Sequence, residues 1–276
     1  MARGWCPGVF TPMEAADGWL VRVKPRLGRL GADTARRIAE AAARHGNGRI
    51  ELTSRANLQV RGLTPATVPL FAAAMVACGA ADADPAVERR RNIIVSPLAG
   101  DDPAITGRPE HVAAALERAL AASDLTLPAK FGFAVDGGGV LPLGDTGADV
   151  VIATHADHCE VWAAGAAHAM VCDADAAPAM ALALARAFLD RGGTRRMRDL
   201  IAAVGELPVR GATRPVLARG GIARLAAPPP RPPMPAAALI AAAELARRGG
   251  DGTLRVTPWR RLLIGGAGRA MPRVAA

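Results

Sequence analysis

The chain of 276 residues is 51% hydrophobic and 21% charged, enough apolar content for one large or two to three small globular units and unlike a disordered segment. No apolar run is as long as a bilayer is thick, which excludes a membrane-spanning helix. A net charge of +9 favours an acidic partner, but 3% aromatic content without a Tyr leaves few platforms on which bases could stack and argues against nucleic acid.

The N-terminal MARGWCPG lacks the apolar core of a secretion signal, so a cytoplasmic location is expected. From Gly18 to Lys24 apolar and polar residues alternate as in a strand. A helix is predicted from about Asp33, capped by Asp33 or Thr34, with Ala35, Ile38, Ala39 and Ala42 along one face. It ends at Gly46-Asn47-Gly48, residue types that accept left-handed backbone angles. The next stretch, GRIELTSRANLQVRG from Gly48 to Gly62, reads as two strands joined at Thr53-Ser54. In the second strand Arg55, Asn57, Gln59 and Arg61 fall at alternate positions, which places them on one face and Leu58 and Val60 on the other. Two guanidinium groups and two amides on one surface suit a polyanion, because the planar fork of Arg matches carboxylate and phosphate. The competing reading is a solvated sheet face.

Arg89, Arg90 and Arg91 lead into a strand predicted over Arg91 to Ser96, where Arg91 can be held rigidly. A loop from Pro97 to Pro109 follows, and Pro109 opens a helix with Val112, Ala115, Leu116, Ala119 and Leu120 on one face. In KFGFAV, alternation puts Phe131, Phe133 and Val135 on one face and Lys130, Gly132 and Ala134 on the other, where small residues leave room for something bulky. After a turn at Gly137-Gly138-Gly139, strands are expected near Val150 to Ile152, His158 to Ala163 and Ala167 to Cys172, then helices near Ala176 to Asp190 and Arg195 to Val204. The segment PPPRPPMP, Pro228 to Pro235, is read as a linker. Cys6, Cys78, Cys159 and Cys172 form no CxxC pair, and most of them are expected as buried free thiols. His155, His158, Cys159, His168 and Cys172 invite a metal, but alternation turns His158 away from Cys159, so no metal site is expected.

The first β-α-β-β unit recurs near the C-terminus. Shifted by 204 positions, AEAAARHGNGRIELTSRANLQVRG (Ala39 to Gly62) aligns without a gap on AELARRGGDGTLRVTPWRRLLIGG (Ala243 to Gly266), with nine of 24 pairs identical, and the helix face returns as Leu239, Ala242, Ala243 and Ala246. Each half alone would leave an open sheet edge and a bare apolar face, so the two are expected to pair. Positions matching the polar face hold Trp259, Arg261, Leu263 and Gly265 in the second copy, so symmetry of fold is expected without symmetry of function. The expected class is α+β, two ferredoxin-like β-α-β-β halves forming one domain around an inserted α+β domain. The expected boundaries are 1–66 for the first half, 67–84 for a connecting helix, 85–226 for the insertion, 227–235 for the linker and 236–276 for the second half.

Five segments, GWCPGVFTPMEAADGWLVRV, LTSRANLQVRG, RRRNIIVSPLAGDDP, LPAKFGFAVDGGG and LRVTPWRRLLI, resemble in this order the nitrite and sulfite reductase superfamily. Within it the resemblance is to the precorrin-3B synthase family of aerobic cobalamin biosynthesis. It implies an oxidoreductase that converts precorrin-3A to precorrin-3B with molecular oxygen, with an acidic tetrapyrrole held by basic residues. Carried over by motif, Arg55, Gln59, Arg91 and Lys130 fall on tetrapyrrole-facing positions, with Asn57, Arg61 and Asn92 beside them. Sulfite reductases have a second lysine where this chain has Gly132, which favours the precorrin branch. The family's cofactors are a 4Fe-4S cluster with sirohaem or non-haem iron. Its four cluster cysteines belong to a region beyond the TPWR strand, and the cysteines of this chain lack their paired spacing. A separate chain supplying that region is one expectation, and a truncated or split, non-catalytic tetrapyrrole-binding module is the alternative. No residue is identified as a catalytic acid or base.

Overall fold

A computed structural model describes residues 6–207, 212–216, 233–266 and 274–275. In chain order it has β1 (Met13–Ala15), β2 (Gly18–Val23), β3 (Arg29–Gly31), α1 (Ala32–His45), β4 (Arg49–Leu52), β5 (Leu58–Leu63), α2 (Val68–Ala77) and α3 (Pro85–Arg90). Next come β6 (Ile93–Val95), α4 (Pro109–Ala122), β7 (Phe133–Asp136), β8 (Val150–Thr154), β9 (Cys159–Ala163), β10 (His168–Cys172), α5 (Ala177–Asp190), α6 (Met197–Val204) and β11 (Thr213–Pro215). The chain closes with β12 (Met234–Pro235), α7 (Ala236–Gly249), β13 (Thr253–Val256), β14 (Leu262–Ile264) and β15 (Val274–Ala275). The described residues form two compact units, one within Cys6–Arg89 and Leu225–Ala276 and the other within Arg90–Arg224.

In the first unit α1 and α7 lie side by side. Ala35, Ile38, Ala39 and Ala42 of α1 and Leu239, Ala242, Ala243 and Ala246 of α7 are all buried, and small alanines at helical spacing let the two backbones approach. Ion pairs Arg247–Asp33 and Arg36–Glu244 tie the exposed edges of the helices together. Neither Asp33 nor Thr34 caps α1. The cap position is Gly31, without a side-chain bond, because the preceding residues are committed to β3 and the helix starts directly from that strand.

The two halves exchange strands. One sheet has the order β1-β2-β5-β4-β12 and the other β15-β14-β13-β3. β3, which leads into α1, pairs antiparallel with β13, and β12, which leads into α7, pairs antiparallel with β4. The strand before each helix therefore lies in the sheet of the opposite half. Bonds related by the 204-residue shift close both junctions, with Ala32 N–H donating to the Gly252 carbonyl at 2.9 Å and Ala236 N–H to the Gly48 carbonyl at 2.8 Å. The hairpins also repeat in register, Ile50 opposite Val60 in one and Leu254 opposite Ile264 in the other. Met234–Pro235 is thus a strand rather than the end of a linker, because its backbone completes the edge of β4. Residues 227–232 of the expected linker lie outside the described residues.

The second unit is a six-stranded sheet of order β11-β10-β9-β8-β7-β6. β6, β7 and β8 run parallel and the remaining pairs are antiparallel. α4 packs on β6 and β7, α5 packs on β8 and β9, and the two helices touch. Phe131 fills the seam with its ring centroid 5.5 Å from Phe133 and 5.0 Å from Phe188. The opposite face of β7 is not open as the small residues suggest. Ala134 packs with Ile94, Leu143 and Ala148, and a Cβ at Gly132 would meet the Asn92 amide at 2.7 Å. Asp149, fully buried, accepts from Gly132 N–H at 3.0 Å, Met197 N–H at 2.9 Å and Arg196 Nε at 2.9 Å, a set of donors that satisfies the buried carboxylate and fixes the start of α6.

Gly46 follows α1 where the chain passes under β5, and a Cβ there would lie 2.5 Å from the Arg61 carbonyl oxygen. The obstacle is backbone within a paired sheet, so it cannot swing aside. Gly46→Ala is expected to destabilise the protein by about 1–3 kcal/mol through overpacking. The readout is a lower urea midpoint at constant slope, and an unchanged midpoint contradicts the packing described.

Candidate functional site

The predicted polar strand is interrupted. β4 and β5 are joined by a five-residue turn, Thr53 to Asn57, closed by Thr53 N–H to the Asn57 carbonyl at 2.9 Å. Ala56 inside it has a φ of 54°, a left-handed angle that breaks strand alternation. The Thr53 hydroxyl accepts from Arg55 N–H at 3.3 Å and Asn57 N–H at 3.2 Å, so the threonine shapes the turn. Arg55 therefore sits half-buried on a turn and does not share a strand face with Gln59 and Arg61, and Asn57 is buried at the entrance to β5. The alternation expected from Arg55 to Arg61 holds only from Leu58 onward.

On β5 itself Gln59 and Arg61 are engaged by acidic neighbours that the sequence reading had not assigned. Gln59 Nε2 donates to Glu51 at 2.7 Å, and its Oε1 accepts from Arg22 Nε at 3.0 Å. Arg61 donates to Glu51 at 3.1 Å and grips Asp17 through Nη2 at 2.7 Å and Nε at 2.9 Å. Asn47 adds a bond to Asp17 at 3.2 Å, and Arg22 reaches the Cys6 thiol at 2.9 Å. The bond from Arg61 is the largest cause holding the Asp17 carboxyl below its ordinary value, and the same bond raises Arg61. Glu51 faces Gln59 across the hairpin, and period-two alternation on β4 was the available signal for it. Asp17 lies between β1 and β2, and nothing in the local pattern pointed to it.

In the second unit three predicted residues gather at the amino ends of β6 and β7. Arg91 is 4% exposed, with Nη1 3.5 Å from Glu117 of α4. Asn92 donates to the Phe131 carbonyl at 2.7 Å and accepts Phe133 N–H on its own carbonyl at 2.9 Å, so it is a bracket between the two strands. Lys130 is exposed on the turn before β7 rather than on the strand, because the paired strand begins at Phe133.

The four cysteines are free, but only Cys159 is buried, the other three being partly exposed rather than buried as expected, and among the described residues no group of three or more of them is close enough to hold an ion. Burial pushes the Cys159 thiol up to about 11, away from the thiolate that cluster ligation requires. The residues present therefore do not fit a 4Fe-4S cluster. Cys159 and Cys172 stand opposite each other on β9 and β10, and His168 is bonded to Glu206 at 2.6 Å, and none of these three joins the other histidines. His155 and His158 do meet, with Glu160 as their third neighbour.

Residues 12–78 match the model of the nitrite/sulfite reductase ferredoxin-like half domain, the segment that contains β1 to β5 and α2. Over 152 residues the chain is 41% identical to a precorrin-3B synthase of a Sinorhizobium species, a match covering 54% of this chain and 32% of that protein. Over 138 residues it is 31% identical to the ferredoxin–nitrite reductase of Synechococcus elongatus, covering 48% and 27%. The matched part thus spans about a third or less of either relative's length. The fold is shared with the NirA protein of Mycobacterium tuberculosis, at a TM-score of 0.65 and 16% identity over 88% of this chain and 53% of that one. No described helix is long and apolar enough to cross a membrane.

Because its folded pKa is lowered, Asp17 stabilises the fold above its ordinary value of 3.8, and that contribution is lost as the pH falls through the lowered value. Solvent screens the pair, so Asp17→Asn is expected to cost only about 0.2–1 kcal/mol at neutral pH. Denaturation of both proteins across pH checks this. The gap between them should be full above 3.8 and close below it, and a gap that persists in acid contradicts the assignment.

Proposed function

We propose that the chain serves a tetrapyrrole-pathway oxidoreductase of the precorrin-3B synthase type, acting on an acidic tetrapyrrole in the cytoplasm. The observation that carries this reading is the 41% identity to a precorrin-3B synthase over 152 residues. The half-domain match over residues 12–78 and the family motifs around Arg55, Arg91 and Lys130 support it. A precorrin bears many carboxylates, and charge-assisted bonds from arginine and lysine are the natural means of binding and orienting one.

In this reading the predicted residues divide by task. Arg61 and Gln59 are engaged with Asp17 and Glu51, and Asn92 with Phe131, so their first contribution is to stiffen the elements they lie on. In the first unit Arg55, on a turn braced by Thr53, is the predicted cation assigned to substrate carboxylate. In the second unit that role falls to the exposed Lys130, while the buried Arg91 is paired with Glu117. The redox chemistry would belong to iron and oxygen, for which the described cysteines supply no cluster ligands. This chain's residues bind, orient and set the local potential.

That same cysteine arrangement favours a second reading, a tetrapyrrole-binding module without turnover of its own. Iron content together with oxygen-dependent turnover of a precorrin separates the two, since tight binding without turnover supports the module. For either reading Arg55→Ala is expected to weaken binding of a polycarboxylated tetrapyrrole by about 1.5–3 kcal/mol, the usual range for a bond to a charged group. Titration of the purified protein by absorbance measures it, and an unchanged affinity removes Arg55 from the site.

A further inference from the structure

The hairpin joining β8 to β9 brings together three donors that no predicted function uses. His155 N–H bonds to the His158 carbonyl at 2.9 Å and closes the turn, which sets the two imidazoles face to face with centroids 4.4 Å apart and planes 6° from parallel. Glu160, two positions beyond His158 on β9, points to the same side and places its carboxylate beside both rings. His155 Nε2 is 3.6 Å from one carboxylate oxygen and His158 Nε2 is 3.7 Å from the other. All three side chains are partly buried, and one donor atom from each lies within 4.8 Å of the others.

These separations are too long for hydrogen bonds, since a charge-assisted contact would close to about 2.7–2.9 Å. They fit a cation lying between the donors. Two ligand atoms each about 2.1 Å from one ion and about 110–120° apart are about 3.4–3.6 Å from each other. The Nδ1 of His158 is 2.7 Å from the Asp157 carboxylate, a contact that orients the ring and directs its Nε2 toward Glu160. That Nε2 is buried and has no hydrogen-bond partner among the described residues. A buried ring nitrogen without a partner, set beside a carboxylate, is satisfied by a cation shared between the two.

We propose that His155, His158 and Glu160 form a binding site for a divalent first-row transition metal of the Zn²⁺ class, with Asp157 orienting His158. Two imidazoles and one carboxylate suit this class rather than Mg²⁺ or Ca²⁺, which take oxygen. Stacked rings cannot both aim their lone pairs at one ion, so binding tilts them about the Cβ–Cγ bond, a broad and soft torsion in histidine. The remaining coordination positions are left to water. The site is at the carboxyl end of β8, whereas Arg91, Asn92 and Lys130 lie at the amino ends of the parallel strands beside it, so it stands independently of the tetrapyrrole reading.

The test is titration of the metal-free full chain with Zn²⁺ by calorimetry and with Co²⁺ by absorption. One saturable equivalent is expected, with visible Co²⁺ bands displaced by Zn²⁺ and without the near-ultraviolet charge transfer of thiolate ligation. His158→Asn and Glu160→Gln should each weaken binding at least tenfold, and Asp157→Asn about 10–100-fold as an orienting partner. Cys159→Ser should leave it unchanged. Circular dichroism of Glu160→Gln, a near-isosteric change, keeps the test valid if the histidine variant misfolds. The proposal is overturned by the absence of a saturable equivalent, by variants that bind as tightly as the parent, or by a thiolate band that vanishes in Cys159→Ser.

Discussion

The structure of the ferredoxin-like unit depends on the exchange of β3 and β12 between its two sheets. A lone half would end in an edge of unpaired N–H and C=O groups on β4 or β13, the kind of edge that recruits foreign strands. Instead each edge is covered by the strand that enters the other half's helix. Because α1 leaves a strand in the second sheet and α7 leaves a strand in the first, the helices are forced alongside each other, and their alanine faces become core. Hydrogen bonds from Ala32 to Gly252 and from Ala236 to Gly48 fix both corners by the same geometry. One arrangement thus settles edge protection, helix packing and the position of each hairpin.

Within that frame the two hairpins carry charge in opposite ways. In the first, Arg61 on β5 reaches back to Glu51 on β4 and outward to Asp17, and stays partly exposed. In the second, the position of Glu51 is held by Arg255 and that of Arg61 by Gly265, whose missing side chain leaves space for the Arg255 guanidinium. Arg255 is 2% exposed and pairs with Asp251 at 2.9 Å. Both hairpins therefore carry a guanidinium from opposite strands, one reaching solvent and one sealed. The repeat thus keeps the backbone bonds and the hairpin register while the charges on the two hairpins differ.

The architecture was legible where periodicity and glycine spacing carry the signal. The helix faces of α1 and α7, the presence of strands β6 to β8 and the 204-residue repeat all follow from apolar spacing that tertiary packing reinforces, whereas the parallel pairing of those strands came only from the fold. What alternation could not supply was the left-handed Ala56, which ends the period-two pattern and takes Arg55 off the strand. Nor could it supply partners distant in sequence, such as Asp17 for Arg61, Glu117 for Arg91 or Asn92 for the gap at Gly132. Those pairings arise from which elements the fold makes neighbours. Glu160 was within reach, because His158 and Glu160 alternate on one strand face. Cys159, the softer candidate ligand between them, points into the core.

Native-state hydrogen exchange of the amides of Ala32 and Ala236, with those of β4 and β13, tests the reciprocal exchange of strands most directly. If each sheet is closed by the other half, both junction amides and both hairpins open together with one free energy, and a destabilising change in either half lowers protection in both. Protection that falls in one half while the other keeps its own would contradict a single cooperative unit.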